Sequence, residues 1–402
     1  MYQYYKNSLL RLHEMLHELQ ADPISQSNNC LYIQEELLKR IIYVEKRSRK
    51  CRETLKGLKR QLGSKTSPLL NNKEAGLIKA HIHQCNQRIG GYQRLLMTFK
   101  SIADGLAFTY IDKWDIKPMV FKESSGFISQ KKGLRSELKF LRHVFLKGGV
   151  GILNDLTNCL HAGDICVALE NRPYIFEIKS GRADNARVKR QRKHIEDISN
   201  YLYFDRADKM YGVEGDFQRF PIHSQEMNHM DKFNSIVASA RSSTGKYCLE
   251  EIENGLYYGA TYVEDDHMLD PIIKKHPGKL IVSMLNEWKY STTGYYPFSL
   301  SFRDSNAWYD FCRGKLIILI AVDYEVIQQK LLSAGLSMKY NPHPDWSSES
   351  YLEVSNVKSN SAFTGLLIGG HFFGRLFTEF LSLDWTIQSI IDRVIRIESK
   401  YS

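Results

Sequence analysis

The sequence predicts a mixed α/β protein with a helical N-terminal region. Residues 1–110 carry apolar side chains at helical spacing, whereas from residue 119 onward short apolar runs bounded by turn residues alternate with helical segments. Over residues 134–204 the order is helix, two strands and helix, as in a mixed α/β core. We therefore predict three parts, a helical basic region, a core that can also take strands from downstream, and a mixed α/β C-terminal region: 1–118, 119–212 and 213–402.

The helical region is strongly basic. From Leu31 to Leu62 apolar residues recur at helical spacing, and Lys and Arg fill the positions between them from Lys46 onward. This pattern predicts a long basic helix, a turn at Gly63–Asn72 and a second helical segment up to a linker at Asp112–Met119. Two interpretations of the region stay open: a bundle with a solvated charged face, and a nucleic-acid clamp or dimerisation arm.

Composition bounds the class of protein. The chain has 402 residues, 43% hydrophobic and 25% charged, which is typical of globular domains, and a formal charge of +10 that favours a polyanionic partner such as nucleic acid. No apolar run is long enough to span a bilayer, and we expect no membrane partner. Seven scattered cysteines without a C-x-x-C pair, and no secretory signal, predict reduced thiols and a cytoplasmic location.

Charged residues interrupt two apolar runs in the stretch GDICVALENRPYIFEIKSG, residues 163–181. A two-residue turn at Glu170–Asn171 would make it a β-hairpin. In that register Asp164 faces Glu177 with their Cβ atoms about 5 Å apart. Lys179 falls on the same face because strand side chains alternate.

Two opposed carboxylates repel each other unless a cation lies between them. Carboxylate oxygens suit Mg²⁺ or Mn²⁺, and a nearby lysine can stabilise a developing anionic oxygen. These residue types therefore favour hydrolysis of a phosphodiester, with a structural ion-pair network of Asp164, Glu177 and Lys179 as the alternative.

The two helices beside the hairpin also carry polar residues on apolar faces. Glu137 lies on the apolar stripe of a helix over Leu134–Val144 and needs a partner there. Gln191 lies on the apolar face of a helix over residues 184–204. The rest of that second helix forms a basic ridge, which beside a hydrolytic site would bind phosphates: Arg187, Lys189, Arg190, Arg192 and Lys193.

Taken together, Glu137, Asp164, then twelve residues before Glu177-Ile178-Lys179, and a helix with Gln191 resemble the PD-(D/E)XK nuclease superfamily. The resemblance covers about residues 130–205. It implies a restriction-endonuclease-like αβββαβ core that cuts nucleic acid with Mg²⁺ or Mn²⁺. It further implies metal ligation by Asp164, Glu177, Ile178 and Glu137, a transition-state role for Lys179 and an orienting role for Gln191.

The sequence departs from that family pattern at two positions. Gly163 replaces the proline of the motif, and Ile195 stands where one branch of the family has a tyrosine four residues after the glutamine. The expected activity is a metal-dependent DNA endonuclease, of the kind found in restriction or phage defence. RNA is a second candidate substrate, a non-catalytic nucleic-acid-binding or scaffold protein is the alternative class, and the helical region could mediate a homodimer or bind a partner protein.

Beyond residue 212 the sequence predicts further strands and a terminal helix. Four apolar runs bounded by turn residues read as strands, and residues 374–402 read as helical. The predicted strand segments are 255–263, 279–285, 314–324 and 363–370.

Overall fold

The structure is a computed structural model, and it divides the chain into two units, Met1–Arg219 and Phe220–Ser402. The predicted boundaries at 118/119 and 212/213 stay predictions. The residues that the structure describes are 2–63, 71–120, 127–170, 172–178, 186–210, 213–219, 224–263, 270–275, 280–291, 293–341, 351–356 and 366–401.

Three long helices open the first unit, as their apolar spacing predicts: α1 (Tyr2–Ala21), α2 (Ser27–Gly63) and α3 (Asn72–Tyr110). The predicted break between the second and third helices is confirmed, because α2 ends at Gly63 and Asn71 caps α3. The Asn71 side chain accepts a hydrogen bond from the Glu74 backbone, and the Glu74 carboxylate accepts one from the Asn71 backbone. Residues 64–70 lie outside the described residues.

The linker prediction for Asp112–Met119 is wrong. Asp112 caps a short helix, α4 (Lys113–Ile116), and a 3₁₀ turn follows over Lys117–Met119. Ile116 and Met119 are almost completely buried. The segment is folded because these apolar side chains reach the interior, which short local patterns do not reveal.

The core elements follow in order: α5 (Leu134–Leu146), β1 (Val150–Leu153), β2 (Ile165–Leu169), β3 (Arg172–Phe176), α6 (Ala186–Phe204) and β4 (Arg206–Met210). Helices α5 and α6 and strands β2 and β3 lie where the sequence predicts them, whereas no segment was predicted for β1 or β4. The first three strands form an antiparallel sheet in the order β1-β2-β3. The predicted hairpin register is confirmed, since Cys166 pairs with Ile175 and Ala168 with Pro173. Glu170 adopts the positive φ of 51° that such a tight turn requires.

Strand β2 is the centre of this sheet, and its first three residues are buried. Helix α5 packs on β1 and β2, and a side chain at Gly151 would collide with Leu141 of α5. Helix α2 closes the outer edge of β1, where the buried Gln34 donates to the Gly151 carbonyl and accepts from the Leu153 N–H, both at 2.8 Å. Helix α2 therefore satisfies two backbone groups at the outer edge of this sheet.

The fourth strand does not extend this sheet within the described residues. β4 pairs with β5 (Val213–Gln218), and a register shift between Ala207 and Lys209 interrupts their ladder. The mixed α/β class is confirmed, and the order αβββαβ is present along the chain. The restriction-endonuclease-like arrangement of the core stays a prediction.

The second unit is built on an antiparallel sheet in the order β6-β7-β9-β8. Each of the four predicted segments contains a strand, whereas the terminal helical stretch is broken at Phe380, whose φ is 53°. A second sheet has the order β10-β11-β12. The strands are β6 (Tyr247–Glu253), β7 (Leu256–Thr261), β8 (Leu280–Met284), β9 (Ile317–Asp323), β10 (Leu336–Asn341), β11 (Tyr351–Asn356) and β12 (Leu366–Gly369).

Helices surround these strands, and the longest is the last: α7 (Met230–Ser242), α8 (Asp270–Lys275), α9 (Leu285–Trp288), α10 (Phe298–Ser301), α11 (Ser305–Cys312), α12 (Tyr324–Ser333), α13 (Gly370–Thr378) and α14 (Leu383–Tyr401). Among the described residues, no helix combines the length and the apolar character needed to cross a bilayer. No disulfide joins any of the seven cysteines, all of which are described.

Candidate active site

A lysine surrounded by three carboxylates lies at the start of α5. The Lys131 Nζ atom is 2.7 Å from Asp155 Oδ2, 2.7 Å from Asp164 Oδ1 and 3.1 Å from Glu137 Oε1. We call these four residues the acidic cluster. Asp164 and Glu137 were predicted to share a site and do so, whereas Lys131 and Asp155 were not predicted.

Helix α2 fixes the segment that carries Lys131. The buried Glu45 carboxylate accepts hydrogen bonds from the Ile128 N–H (3.0 Å) and the Ser129 N–H (2.7 Å). These two donors open a 3₁₀ turn, Ile128–Gln130, and Lys131 follows directly. The position of the ammonium is therefore set by a carboxylate more than eighty residues earlier in the chain.

Glu137 is the most deeply buried member of the cluster, with 1% of its side chain exposed. It lies in the first turn of α5, on the face that the sequence predicts to be apolar. Burial raises the pKa of Glu137 to about 7; Lys131 opposes this increase, and the negative charges of Asp164 and Asp155 add to it. Its Oε2 atom has no hydrogen-bond partner among the described residues.

The charge of Lys131 is stabilised by the cluster. Burial alone would lower the pKa of the ammonium, but hydrogen bonds and charge interactions with Asp155 and Asp164 outweigh burial and raise the pKa above its ordinary value. Three carboxylates therefore face one permanent cation.

Backbone bonds hold Asp164 in place beside the end of the hairpin. The Asp164 N–H donates to the Phe176 carbonyl (2.8 Å), and the Asp164 carbonyl accepts from the Asn154 N–H (3.0 Å). Because Asn154 begins the 3₁₀ turn Asn154–Leu156, the same bond brings Asp155 into the cluster. The loop between β1 and β2 thus supplies two of the three carboxylates.

The backbone conformation at Gly163 explains why this chain has glycine where the family motif has proline. Its φ is +73°, which proline cannot adopt because its ring fixes φ near −65°. A Cβ atom at this position would lie 2.6 Å from Ile175 Cγ2 and 2.8 Å from the Phe176 carbonyl oxygen. Glycine is therefore the residue that both this backbone conformation and this close approach require.

Asp164 and Glu177 were predicted to face each other across the hairpin, but the ladder ends one pair before them. The last pair is Ile165 with Phe176. The turn at Gly163 moves the chain out of register, so that Asp164 Oδ2 accepts the Ile178 N–H at 2.8 Å. Glu177 lies half-buried beside this bond, and Lys179 lies outside the described residues.

The basic ridge of α6 is exposed where the structure describes it. Lys189, Arg190, Arg192 and Lys193 are exposed, and Gln191 is half-buried on the side of the buried Ile198. The side chain of Arg187 lies outside the described part of the chain. The orienting role of Gln191 and the binding of phosphates by the ridge stay predictions.

Whether the acidic cluster can hold a divalent cation depends on its donors and their spacing. Carboxylate oxygens are the ligands that Mg²⁺ prefers, and the unpartnered Oε2 of Glu137 is an available acceptor. The observed spacing, however, fits an ammonium ion, since Mg²⁺ requires distances of about 2.0–2.1 Å. In the described residues no group of three or more His, Cys, Asp or Glu side chains is arranged to hold a metal ion.

Sequence reasoning missed Lys131 and Asp155, although one signal was available. A glutamate on an apolar helix face requires a cationic or hydrogen-bonding partner. Lys131 and Lys132 precede that helix by three and two residues, so both were basic candidates close to Glu137 in the sequence. Asp155 had no comparable signal, because only the fold of its loop brings it to the cluster.

No protein-family model matches this chain, and comparisons with curated protein sequences and with solved structures find no match either.

Proposed function

We propose that this protein is a divalent-metal-dependent endonuclease that hydrolyses phosphodiester bonds in DNA, with restriction or phage defence as its setting. The observation that carries the proposal is the acidic cluster at the end of the β2–β3 hairpin. There, Asp164 and Glu137 both contact Lys131, and Asp164 accepts the N–H of Ile178, which follows Glu177 in the chain. Except for Lys131, these are sequence positions to which the family resemblance assigns metal ligation.

The residues of the cluster suit this chemistry. Asp164 and Glu137, with Glu177, would hold a divalent cation, which supplies a Lewis acid for the phosphate and lowers the pKa of an attacking water. Lys131 would then exchange its carboxylate partners for a phosphate oxygen and stabilise the negative charge of the transition state. Lys179 is the second candidate for that role.

A non-catalytic protein is the second candidate, and one observation favours it. Lys131 already occupies the space between the three carboxylates, and the described residues include no ready metal-binding group. In that case the acidic cluster would be a structural ion-pair network.

Incubation of the purified protein with plasmid, linear DNA and RNA, in Mg²⁺, Mn²⁺ or EDTA, tests the proposal directly. We expect metal-dependent cleavage of DNA that is lost in Asp164→Asn, Glu177→Gln and Lys179→Gln. Glu196→Gln is a matched control, because Glu196 is an exposed carboxylate on α6. Cleavage of RNA alone would reassign the substrate, and wild-type protein that cleaves neither nucleic acid would refute the proposal.

A Lys131→Met variant separates the two candidates by metal binding rather than by activity. Removal of the ammonium leaves three carboxylates facing one another, so we expect unfolding to become easier by about 3 kcal/mol in EDTA. If the cluster binds a divalent cation, Mg²⁺ or Mn²⁺ restores much of the lost thermal stability. Lys132→Met, at the exposed neighbouring position, should change little in either buffer. A Lys131→Met protein that Mg²⁺ and Mn²⁺ fail to stabilise favours the non-catalytic alternative.

A further inference from the structure

The net positive charge of the chain is concentrated in one region. We call Lys46–Gly63 of α2 and Asn72–Gly90 of α3 the basic arm. It contains eleven Lys or Arg and two Glu, a net charge of +9 out of +10 for the whole chain. The remainder of the chain is therefore almost balanced, and the excess that suggested a polyanionic partner belongs to two helical segments.

The basic arm is exposed over most of its surface. Most of its large apolar side chains lie where α2 and α3 pack along each other: Leu55, Leu58, Ile78 and Ile82 are half-buried, whereas Leu62 and Leu77 are exposed. The cations lie on the remaining faces. This leaves the arm with no broad apolar surface of its own.

The cations of the arm are largely uncompensated. Of its two glutamates, Glu53 lies 3.9 Å from Arg49, and Glu74 is used in the cap of α3. Within the described residues no salt bridge reaches the other cations of α2 beyond residue 45: Lys46, Arg47, Lys50, Arg52, Lys56, Lys59 and Arg60. Such a run of like charge raises the energy of the free protein and is relieved by an anionic partner.

The length and the composition of the arm indicate which kind of polyanion it binds. From Lys46 to Arg60 the helix rises about 21 Å, which corresponds to about six phosphates along one strand of a duplex. The arm contains no Phe, Tyr or Trp, the side chains on which unpaired bases stack. A helix that presents many basic side chains and no aromatic residues fits the backbone of a double helix.

Other partners fit less well. A second copy of the chain would bring two strongly positive arms together, and the half-buried leucines offer little apolar area to offset that repulsion. A lipid surface would require a broad apolar face to insert between headgroups, whereas the large exposed apolar side chains of the arm are two leucines, Leu62 and Leu77, among the residues that the structure describes.

The arm begins beside the candidate site. The Arg52 guanidinium lies over the Phe127 ring at 5.2 Å, and the next residues are those that Glu45 holds in front of Lys131. A duplex lying along the arm would therefore run toward the acidic cluster.

We propose that the basic arm binds the phosphate backbone of double-stranded nucleic acid. This inference deepens the proposed function and rests on it for the identity of the substrate as DNA. It assigns to α2 and α3 a substrate-holding role in addition to the one predicted for the ridge on α6, and it favours the nucleic-acid clamp among the interpretations of the helical region.

Duplex binding in EDTA tests the proposal without cleavage. The arm variant is Lys56→Gln, Lys59→Gln and Arg60→Gln, three exposed positions at which glutamine preserves helix propensity. Fluorescence anisotropy with a labelled duplex, repeated over a salt series, should show about tenfold weaker binding and a salt slope reduced by roughly 0.9 for each lost contact.

The matched control removes the same charge elsewhere. Lys232→Gln, Lys274→Gln and Lys315→Gln are exposed positions in the second unit, and we expect the salt slope of this variant to stay within experimental error of the wild type. The proposal is overturned if the two triple variants weaken binding equally. It is also overturned if the arm variant keeps full affinity for the duplex, or if the wild type binds phosphatidylserine vesicles and no duplex.

The outcome is separable from that of the nuclease assay. A wild-type protein that binds duplex through the arm but cleaves nothing in Mg²⁺ or Mn²⁺ supports the arm and refutes the nuclease. A protein that cleaves DNA while the arm variant binds normally supports the nuclease and refutes the arm.

Discussion

At the scale of single residues, two positions decide the geometry of the acidic end of the hairpin. Lys131 supplies the positive charge without which Glu137, Asp155 and Asp164 could not lie together. Gly163 supplies the backbone turn that takes Asp164 out of the ladder and onto the Ile178 N–H. The first is an electrostatic requirement and the second a steric one.

Gly163→Ala tests the steric requirement. Alanine adopts a φ of +73° only with strain, and its Cβ would collide with Ile175 and with the Phe176 carbonyl. We expect a loss of about 2–4 kcal/mol in the free energy of unfolding, measured with urea. Gly57→Ala is the control, because nothing lies within 4 Å of a Cβ at this exposed helical position. That substitution should stabilise α2 by up to about 1 kcal/mol. Equal effects at both positions would contradict the steric explanation.

At the scale of elements, the two halves of α2 have different roles. Its buried half holds the core, through Gln34 on the edge of β1 and Glu45 on the segment before Lys131. Its exposed half belongs to the basic arm. One continuous helix therefore connects the proposed duplex-binding surface to the candidate site.

Glu45→Ala tests the role of the buried half of α2. The substitution removes the acceptor of two buried N–H groups, so we expect a loss of about 2–4 kcal/mol in stability. Peptides that cover residues 127–133 should also exchange backbone hydrogens faster, as mass spectrometry can measure. Glu53→Ala, an exposed carboxylate on the same helix, serves as the control and should change stability by less than about 1 kcal/mol. Unchanged exchange in Glu45→Ala would mean that other contacts hold the segment.

At the scale of the whole molecule, each unit contains a carboxyl group whose pKa is shifted, and the two shifts have opposite directions. Glu137 is buried and Glu253 is half-buried. In the first unit burial raises the pKa of Glu137 to about 7. In the second unit burial would raise the pKa of Glu253, but His229 Nε2 at 2.5 Å, Ser382 and the Asp384 N–H donate to it and lower the pKa to about 2. The two units should therefore respond differently to pH.

The signs of the two responses follow from linkage. Glu253 has a folded pKa below its ordinary 4.5, so its stabilisation is present above pH 4.5 and is lost as the pH falls toward 2, by up to about 3 kcal/mol. Glu137 has a folded pKa above 4.5, so stability falls as the pH rises from 4.5 through 7, by a similar amount. Urea unfolding of Glu253→Gln and Glu137→Gln over this pH range should show each dependence removed separately. A variant that keeps the full wild-type dependence would exclude its carboxyl as the source.

Much of the local structure could be predicted from sequence patterns. Apolar spacing gave the helices on either side of the turn at residues 63–72, and alternation with turn residues gave the β2–β3 register. Glu137 was predicted to be buried because it lies on an apolar face, and it is. Local patterns did not predict the structure of Asp112–Met119, because distant contacts decide it. The segment is helical because two of its apolar residues are buried.

Three features of the molecule can be predicted from the sequence: a basic helical arm, a hairpin with acids at its open end and a helix with a buried glutamate. These features depend on spacing and side-chain type, which are local properties. Which charges meet, by contrast, depends on the folded chain. Asp155 joins Asp164 through one backbone bond from Asn154, and Lys131 reaches both because Glu45 of α2 holds the chain before it. Contacts between residues far apart in the chain leave no periodic signal, so the cation at the centre of the acidic cluster became visible only in the fold.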